Sequence, residues 1–280
     1  MARDATLTLR SGARMPTLGM GTWHMGERKR DRAREVAALR RGLELGMSLV
    51  DTAEMYGEGG AESVVGEAIA DCRDRVFLVS KVYPHRASRR GVVDACARSL
   101  ERLATDRLDL YLLHWRGNVP LAETVAGFES LREAGRIRDW GVSNLGVQDL
   151  HELASVAGGK HCAANQVLYH LACRGIEFDL LPACRQEGVA VMAYSPFDEG
   201  RLLHDKRLAA IAARIGASAA EVALAWLLAR PGVVAIPKAS DLAHVQANAR
   251  ARTRTLSENT LRELDRAFPP PTRASPLRMI

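Results

Sequence analysis

Eight short apolar runs alternate with longer amphipathic stretches along this chain, and no other feature limits its possible folds so tightly. The runs are Leu18–Trp23, Ser48–Ala53, Val76–Val82, Leu108–His114, Trp140–Asn144, Ala164–Leu168, Val189–Tyr194 and Val233–Lys238. They are apolar nearly throughout rather than at every second position, the pattern of parallel strands covered on one face by helices and packed on the other. Between them, Arg34–Leu45 spaces Val36, Leu39 and Leu43 as a helix does and ends at Gly46. Val92–Leu103 follows Gly91, and Leu121–Ala134 stops at Gly135. Glycine just past a helix accepts the left-handed cap conformation.

Such alternation builds either a closed barrel or an open, doubly wound sheet. A nucleotide-binding open sheet carries a GxGxxG turn from its first strand into a helix. Leu18-Gly19-Met20-Gly21-Thr22-Trp23 lacks that turn and starts no helix. The expected fold is therefore an α/β (β/α)8 TIM barrel. Ahead of it, Thr6–Arg10, Ser11-Gly12-Ala13-Arg14 and Met15–Leu18 read as a β-hairpin closing the bottom. No Pro/Gly/Ser-rich linker interrupts the 280 residues, so 1–280 is read as one domain.

Composition excludes several classes. A net charge of +6 raises the question of a polyanionic partner. The basic residues, however, are scattered among acids on helix faces, and the longest cluster, Arg28-Lys29-Arg30 with Arg32 and Arg34, lacks interleaved aromatics. It reads as a solvated face, with no nucleic acid expected. The five cysteines, Cys72, Cys96, Cys162, Cys173 and Cys184, form no CxxC pair and leave one over, against both a disulfide framework and a zinc site. His24, His85 and His170 have no partners at ligand spacing, so no metal is expected. Arg3, Asp4 and Arg10 interrupt the N-terminal sequence, and no apolar run is long enough to span a membrane. These features predict a cytoplasmic protein, and a monomer is expected.

The functional signal lies in the polar residues that end apolar strands. Leu49-Val50 runs into Asp51, Val79-Ser80 into Lys81, and Leu112-Leu113 into His114. Gly141-Val142 precedes Ser143-Asn144, Asn165 precedes Gln166, Ala193 precedes Tyr194-Ser195, and Ile236-Pro237 precedes Lys238. One such residue is usually a helix cap. Seven in succession line one mouth of a barrel, where barrel active sites sit. A lysine inside an apolar strand needs a partner, since burying its ammonium alone costs several kcal/mol. Asp51 on the adjacent strand supplies one. Tyr56, five residues beyond Asp51, can fold back over the mouth, where a neighbouring cation is expected to lower its phenol pKa toward the working range. His114 is then placed to hold a substrate carbonyl oxygen against the Tyr56 hydroxyl.

At these residues the sequence resembles the aldo-keto reductase family. The resemblance runs through Leu49–Gly57, Val79–Val82, Leu103–His114, Gly135–Arg138, Gly141–Asn144, Ala193–Pro196 and Ile236–Lys238, and so covers essentially the whole chain. It implies a catalytic tetrad of Asp51, Tyr56, Lys81 and His114, and reduction of aldehydes or ketones with NADPH, NADH being the alternative. It implies that Tyr194 stacks on the nicotinamide, that Ser143, Asn144 and Gln166 bond its carboxamide, and that Ser195 and Phe197 neighbour the pyrophosphate. Thr22, Trp23 and Asp51 join the cofactor-facing set. Trp23, Tyr83 and Trp115, with Tyr56 and His114, are candidates for the substrate pocket, with rim packing as the other reading of the three aromatics.

The adenosine end departs from the family pattern of lysine, a hydroxyl residue, an arginine six positions on, and Glu-Asn. Here stand Lys238, Ala239, His244, Ala247 and Asn248. Lys238 and Ser240 remain to meet a 2′-phosphate, but the forked arginine is replaced by His244. Lys238-Ala239-Ser240 and Trp115 look most like bacterial methylglyoxal and small-aldehyde reductases. The short tail after Phe268 implies that long pocket-narrowing loops are absent. Two other classes use similar parts: a Schiff-base aldolase through Lys81, which borohydride would trap, and a cofactor-binding regulatory subunit of a channel, which would not turn over.

Overall fold

The computed structural model describes residues 6–280; Arg3 and Asp4 lie outside the described residues. Strands β1 (Thr6–Thr8) and β2 (Arg14–Pro16) form an antiparallel hairpin. Eight parallel strands follow: β3 (Gly19–Gly21), β4 (Leu49–Asp51), β5 (Phe77–Val82), β6 (Leu108–Leu113), β7 (Ile137–Ser143), β8 (Ala164–Leu168), β9 (Ala190–Tyr194) and β10 (Val233–Ala235). Each pairs with the next in chain order. Bridges from Leu18 to Ala235 and from Gly21 to Lys238 bring β3 to β10, and the Gly21 N–H donates to the Pro237 carbonyl at 2.9 Å. The sheet thus closes into the expected (β/α)8 barrel. β3 has little room: a methyl group on Gly19 would lie 2.4 Å from Leu49 Cδ2.

Side chains alternate inward and outward along each strand, which yields two cores. Outward residues such as Val50, Leu78, Tyr111 and Val142 pack under the helices. Inward residues, including Leu49, Phe77, Val79, Leu110, Leu112, Ala164, Ala190 and Met192, fill the barrel. The hairpin supplies Leu9, Ala13 and Met15 to this inner core, and the Ser11 hydroxyl donates to Asp139 at 2.8 Å. It therefore plugs the bottom.

Several helices begin where the sequence offers a side-chain oxygen to their free N–H groups. Ser88, Asp205, Ser218, Asp241 and Ser257 each accept such a bond. Ser88 starts its helix at Arg89, three residues before the Val92 expected from apolar spacing alone. Helices Arg32–Glu44 and Leu121–Glu133 lie close to the expected ranges. Cys96 and Cys184 are buried on helices, and burial pushes both thiols up to about 12, so neither is a nucleophile at neutral pH. Among the described residues no single helix is long and apolar enough to cross a membrane.

Candidate active site at the barrel mouth

Period-two alternation explains which residues reach the mouth. The next inward position after Leu49 is Asp51; after Val79 it is Lys81; after Leu112, His114; after Ala164, Gln166; after Met192, Tyr194. Strand geometry alone therefore carries each apolar interior row to a polar top.

Lys81 is fully buried, and three acceptors meet its three ammonium protons. Nζ donates to Asp51 Oδ2 at 2.7 Å, to the Thr52 carbonyl at 2.9 Å and to the Tyr56 hydroxyl oxygen at 3.1 Å. Burial acts to lower the lysine pKa, but the Asp51 carboxylate and Tyr56 outweigh it and hold the pKa above the ordinary value. The lysine stays charged.

The expected lowering of the Tyr56 pKa is not found. Burial raises the phenol above its usual value of 10.0, Asp51 adds to the rise, and the opposing pull of Lys81 does not compensate. Tyr56 is consequently a neutral acid in this site. Lys81 sets a cation directly on the phenol oxygen, where it would stabilise any negative charge that develops there.

Tyr56 opens a tight 3-10 turn, Tyr56–Gly59, where Gly57 takes φ 56°. Its ring meets Trp23 edge-on at 4.9 Å between centroids and His114 at 5.7 Å. His114 abuts Trp115 at 4.9 Å, and Trp115 meets Tyr83 at 5.9 Å. Trp23 is 41% exposed. Trp23, Tyr56, His114, Trp115 and Tyr83 thus form one unbroken run of ring contacts.

His114 is buried, with Nδ1 unpartnered among the described residues. Desolvation, aided by the Lys81 charge, pushes its pKa down to about 2, so the ring is neutral. His170 is pushed down to about 4 by burial, although Asp198, 3.7 Å away, pulls the other way. Both folded values lie below the ordinary 6.5, so unfolded chain takes up protons that native protein refuses. The stability these rings contribute is complete above pH 6.5 and falls as pH drops, through both rings down to about 4 and through His114 alone to about 2. Each ring contributes a slope of about 1.4 kcal/mol per pH unit. Urea midpoints should therefore decline already between pH 6.5 and 5, and His170→Asn should flatten that decline; an unchanged slope would show that His170 titrates normally.

A polar arc faces the tetrad. Ser143 Oγ donates to the Gln166 carbonyl at 2.8 Å, and Asn144 Nδ2 donates to Ser143 Oγ at 3.2 Å and to the His114 carbonyl at 3.4 Å. The Tyr194 hydroxyl donates to Asn144 Oδ1 at 3.1 Å. Asn144 takes φ 60°, a left-handed conformation that asparagine tolerates better than most residues. Gln166 Nε2 donates to Asp51 Oδ1 at 2.8 Å, leaving its Oε1 free of hydrogen bonds among the described residues.

The remaining candidates are more dispersed. Thr22 is buried and its hydroxyl donates to the Asp51 carbonyl at 3.0 Å. Ser195 takes φ 48° and, with half-buried Phe197, leads into the kinked segment Asp198–His204. The Lys238 ammonium donates to Ser240 Oγ at 3.3 Å in an exposed setting. His244 is exposed on the first turn of helix Leu242–Arg250, while Asn248 is buried on the same helix.

Sequence reasoning missed two contributors. Glu54, buried, accepts from the Tyr83 N–H at 2.9 Å and from Arg86 at 2.6 Å, and so fixes Tyr83 at the rim. Its place between Asp51 and Tyr56 was the available signal. The chain past Phe268 stays against the barrel: Ser275 Oγ would lie 2.6 Å from a methyl group on Gly175.

A model of the aldo/keto reductase family matches residues 17–268. Methylglyoxal reductase YeaE of Escherichia coli is 53% identical over 271 residues, 95% of each chain. An aldo/keto reductase from Klebsiella pneumoniae, solved with NADP and acetate, is 51% identical with a TM-score of 0.96 over 99% of each chain. A Klebsiella pneumoniae aldo-keto reductase solved with NADPH is 50% identical, again with a TM-score of 0.96, over 100% of each chain. A buried lysine shared by a carboxylate and a phenol, at the mouth of a plugged barrel, is thus found in a chain that belongs to the aldo/keto reductase family.

Proposed function

We propose that this protein is an NADPH-dependent reductase of small aldehydes and ketones of the methylglyoxal kind, acting as a monomer in the cytoplasm. One observation carries the reading: the buried Lys81 ammonium bonds the Tyr56 hydroxyl oxygen and the Asp51 carboxylate together. That arrangement serves proton donation to a developing alkoxide. Five free cysteines suit a reducing compartment.

The residues fit the cofactor. Gln166 Oε1 is available to accept from a carboxamide, the Tyr194 ring stands at the mouth with its hydroxyl tethered to Asn144, and Lys238 offers a cation held only by Ser240. Ser143, Asn144, Gln166 and Tyr194, with Thr22, Trp23 and Asp51, would hold the nicotinamide end. Ser195 and Phe197 would lie along the phosphates, and Lys238, Ser240, His244 and Asn248 at the adenosine. When bound, NADPH supplies the hydride to the carbonyl carbon. Tyr56 gives its proton to the carbonyl oxygen, Lys81 stabilises the phenolate left behind, and Asp51 keeps Lys81 charged and placed. Trp23, Tyr83 and Trp115 exclude water from the substrate side.

His114 sets the outcome with conjugated substrates. A neutral imidazole orients a carbonyl oxygen toward Tyr56 without protonating it, so hydride goes to the carbonyl carbon. With NADPH and an α,β-unsaturated ketone, the expected product is the unsaturated alcohol. Saturated ketone as the main product would overturn the assignment, and NADPH binding without turnover of methylglyoxal or any other small carbonyl would favour a regulatory role instead.

A further inference from the structure

We infer that Arg28 is the second cation for the 2′-phosphate of NADPH, standing in for the arginine absent at position 244; this rests on the NADPH reading above. In the sequence Arg28 belongs to a basic run read as solvated. The structure leaves it exposed but sets it on a cleft: His24, Glu27, Arg28, Asp31, Arg34, Glu35, Lys238 and Ser240 line one cleft of about 410 Å³. The cleft lies at the seam of the barrel, between the loop that follows β3 and the loop that follows β10. It is linked to Tyr56 by ring contacts: His24 meets Trp23 at 4.6 Å, tilted, and Trp23 meets Tyr56 edge-on at 4.9 Å.

The charges lining this cleft are not equally available. Glu27 is engaged by His24 at 2.7 Å, Asp31 by Arg34 at 3.0 Å, and buried Glu35 by the Gly26 N–H at 3.0 Å. Each acid has a partner. Among the described residues the Arg28 guanidinium makes no hydrogen bond or ion pair, its carbonyl alone being bonded, by the Asp31 N–H, and the Lys238 ammonium meets only Ser240. The cleft therefore presents two uncommitted cations and a hydroxyl. A phosphate monoester carries about −1.5 to −2 charges near pH 7, which one lysine leaves half neutralised and which lysine plus arginine match. A guanidinium also adds the forked donor that a lysine lacks.

The loop is built rather than loose. Gly26 takes φ 74° and sits so close to the next segment that a methyl group there would lie 2.1 Å from the Gly60 carbonyl carbon. The Glu35 bond ties the same glycine to helix Arg32–Glu44. Arg28 thus leaves a fixed stem, so little order remains to be imposed when phosphate arrives.

The test is cofactor affinity, read from quenching of tryptophan fluorescence, in wild type, Arg28→Ala and Arg28→Lys. Arg28→Ala should weaken NADPH by roughly tenfold and NADH by less than twofold, with Arg28→Lys between the two. The fragment 2′,5′-ADP should weaken as NADPH does, and 5′-ADP should not. Equal weakening of NADPH and NADH would place Arg28 on the pyrophosphate and overturn the inference. Unchanged NADPH affinity would return Arg28 to solvent. Failure of wild type to bind NADPH at all would instead overturn the cofactor reading, before any variant is compared.

Discussion

Tyr56→Phe is expected to lower kcat for carbonyl reduction by about 10²–10⁴-fold, the usual contribution of a placed general acid. Phenylalanine keeps the ring contacts with Trp23 and His114 and removes only the oxygen that Lys81 meets at 3.1 Å. Lys81 retains Asp51 and the Thr52 carbonyl, so the fold and the NADPH Kd should stay close to wild type. His114 cannot replace the donor as an imidazolium, because its pKa is near 2. Since the acid must be protonated to act and burial raises Tyr56 above 10.0, the reductive rate should hold through neutral pH and fall only in alkali. Stopped-flow measurement of NADPH oxidation checks both points. A loss smaller than tenfold would mean that another group supplies the proton.

Lys81→Met should abolish turnover and also cost about 3–5 kcal/mol of stability, the usual penalty when one partner of a buried ion pair is removed. Asp51 is 2% exposed, and without Lys81 its remaining side-chain donor is Gln166 Nε2 at 2.8 Å. Thermal unfolding should shift down by on the order of 10 °C. Adding Asp51→Asn should recover most of that loss by removing the stranded charge, without recovering activity. A double variant no more stable than Lys81→Met alone would show that packing of the methionine, not the unpaired carboxylate, accounts for the loss.

The tetrad was legible because strand periodicity and chemistry agree there. Leu49 to Asp51 and Val79 to Lys81 are each one inward step, so residues that end apolar runs had to meet at one mouth. Contacts between distant segments with no shared pattern were not legible. Gln166 reaches Asp51 across 115 positions, and nothing local marks that bond. β7 begins at Ile137 rather than Trp140, because Arg138 and Asp139 interrupt the apolar run; Asp139 is nonetheless a strand residue, its carboxylate taken by Ser11 of the hairpin plug. The direction of the Tyr56 shift was misjudged because the sequence shows the cation but not the depth of burial that outweighs it. Arg28 was hidden in a run of basic residues whose neighbours Arg32 and Arg34 pair with Glu67 and Asp31 on the surface.

The barrel seam imposes an order on biosynthesis. The bridges that close the ring join Leu18 to Ala235 and Gly21 to Lys238, residues more than two hundred positions apart, whereas every other strand pairs with its immediate neighbour in the chain. Closing so long a loop is entropically the dearest contact in the fold, and it must wait until nearly the whole polypeptide exists. The cleft that holds Arg28 and Lys238 straddles this joint. In a chain emerging from the ribosome, Asp51, Lys81 and His114 are therefore all in place in the sequence well before β10 brings Lys238 to Arg28. Any ligand that needs both cations would thereby register whether the ring is complete.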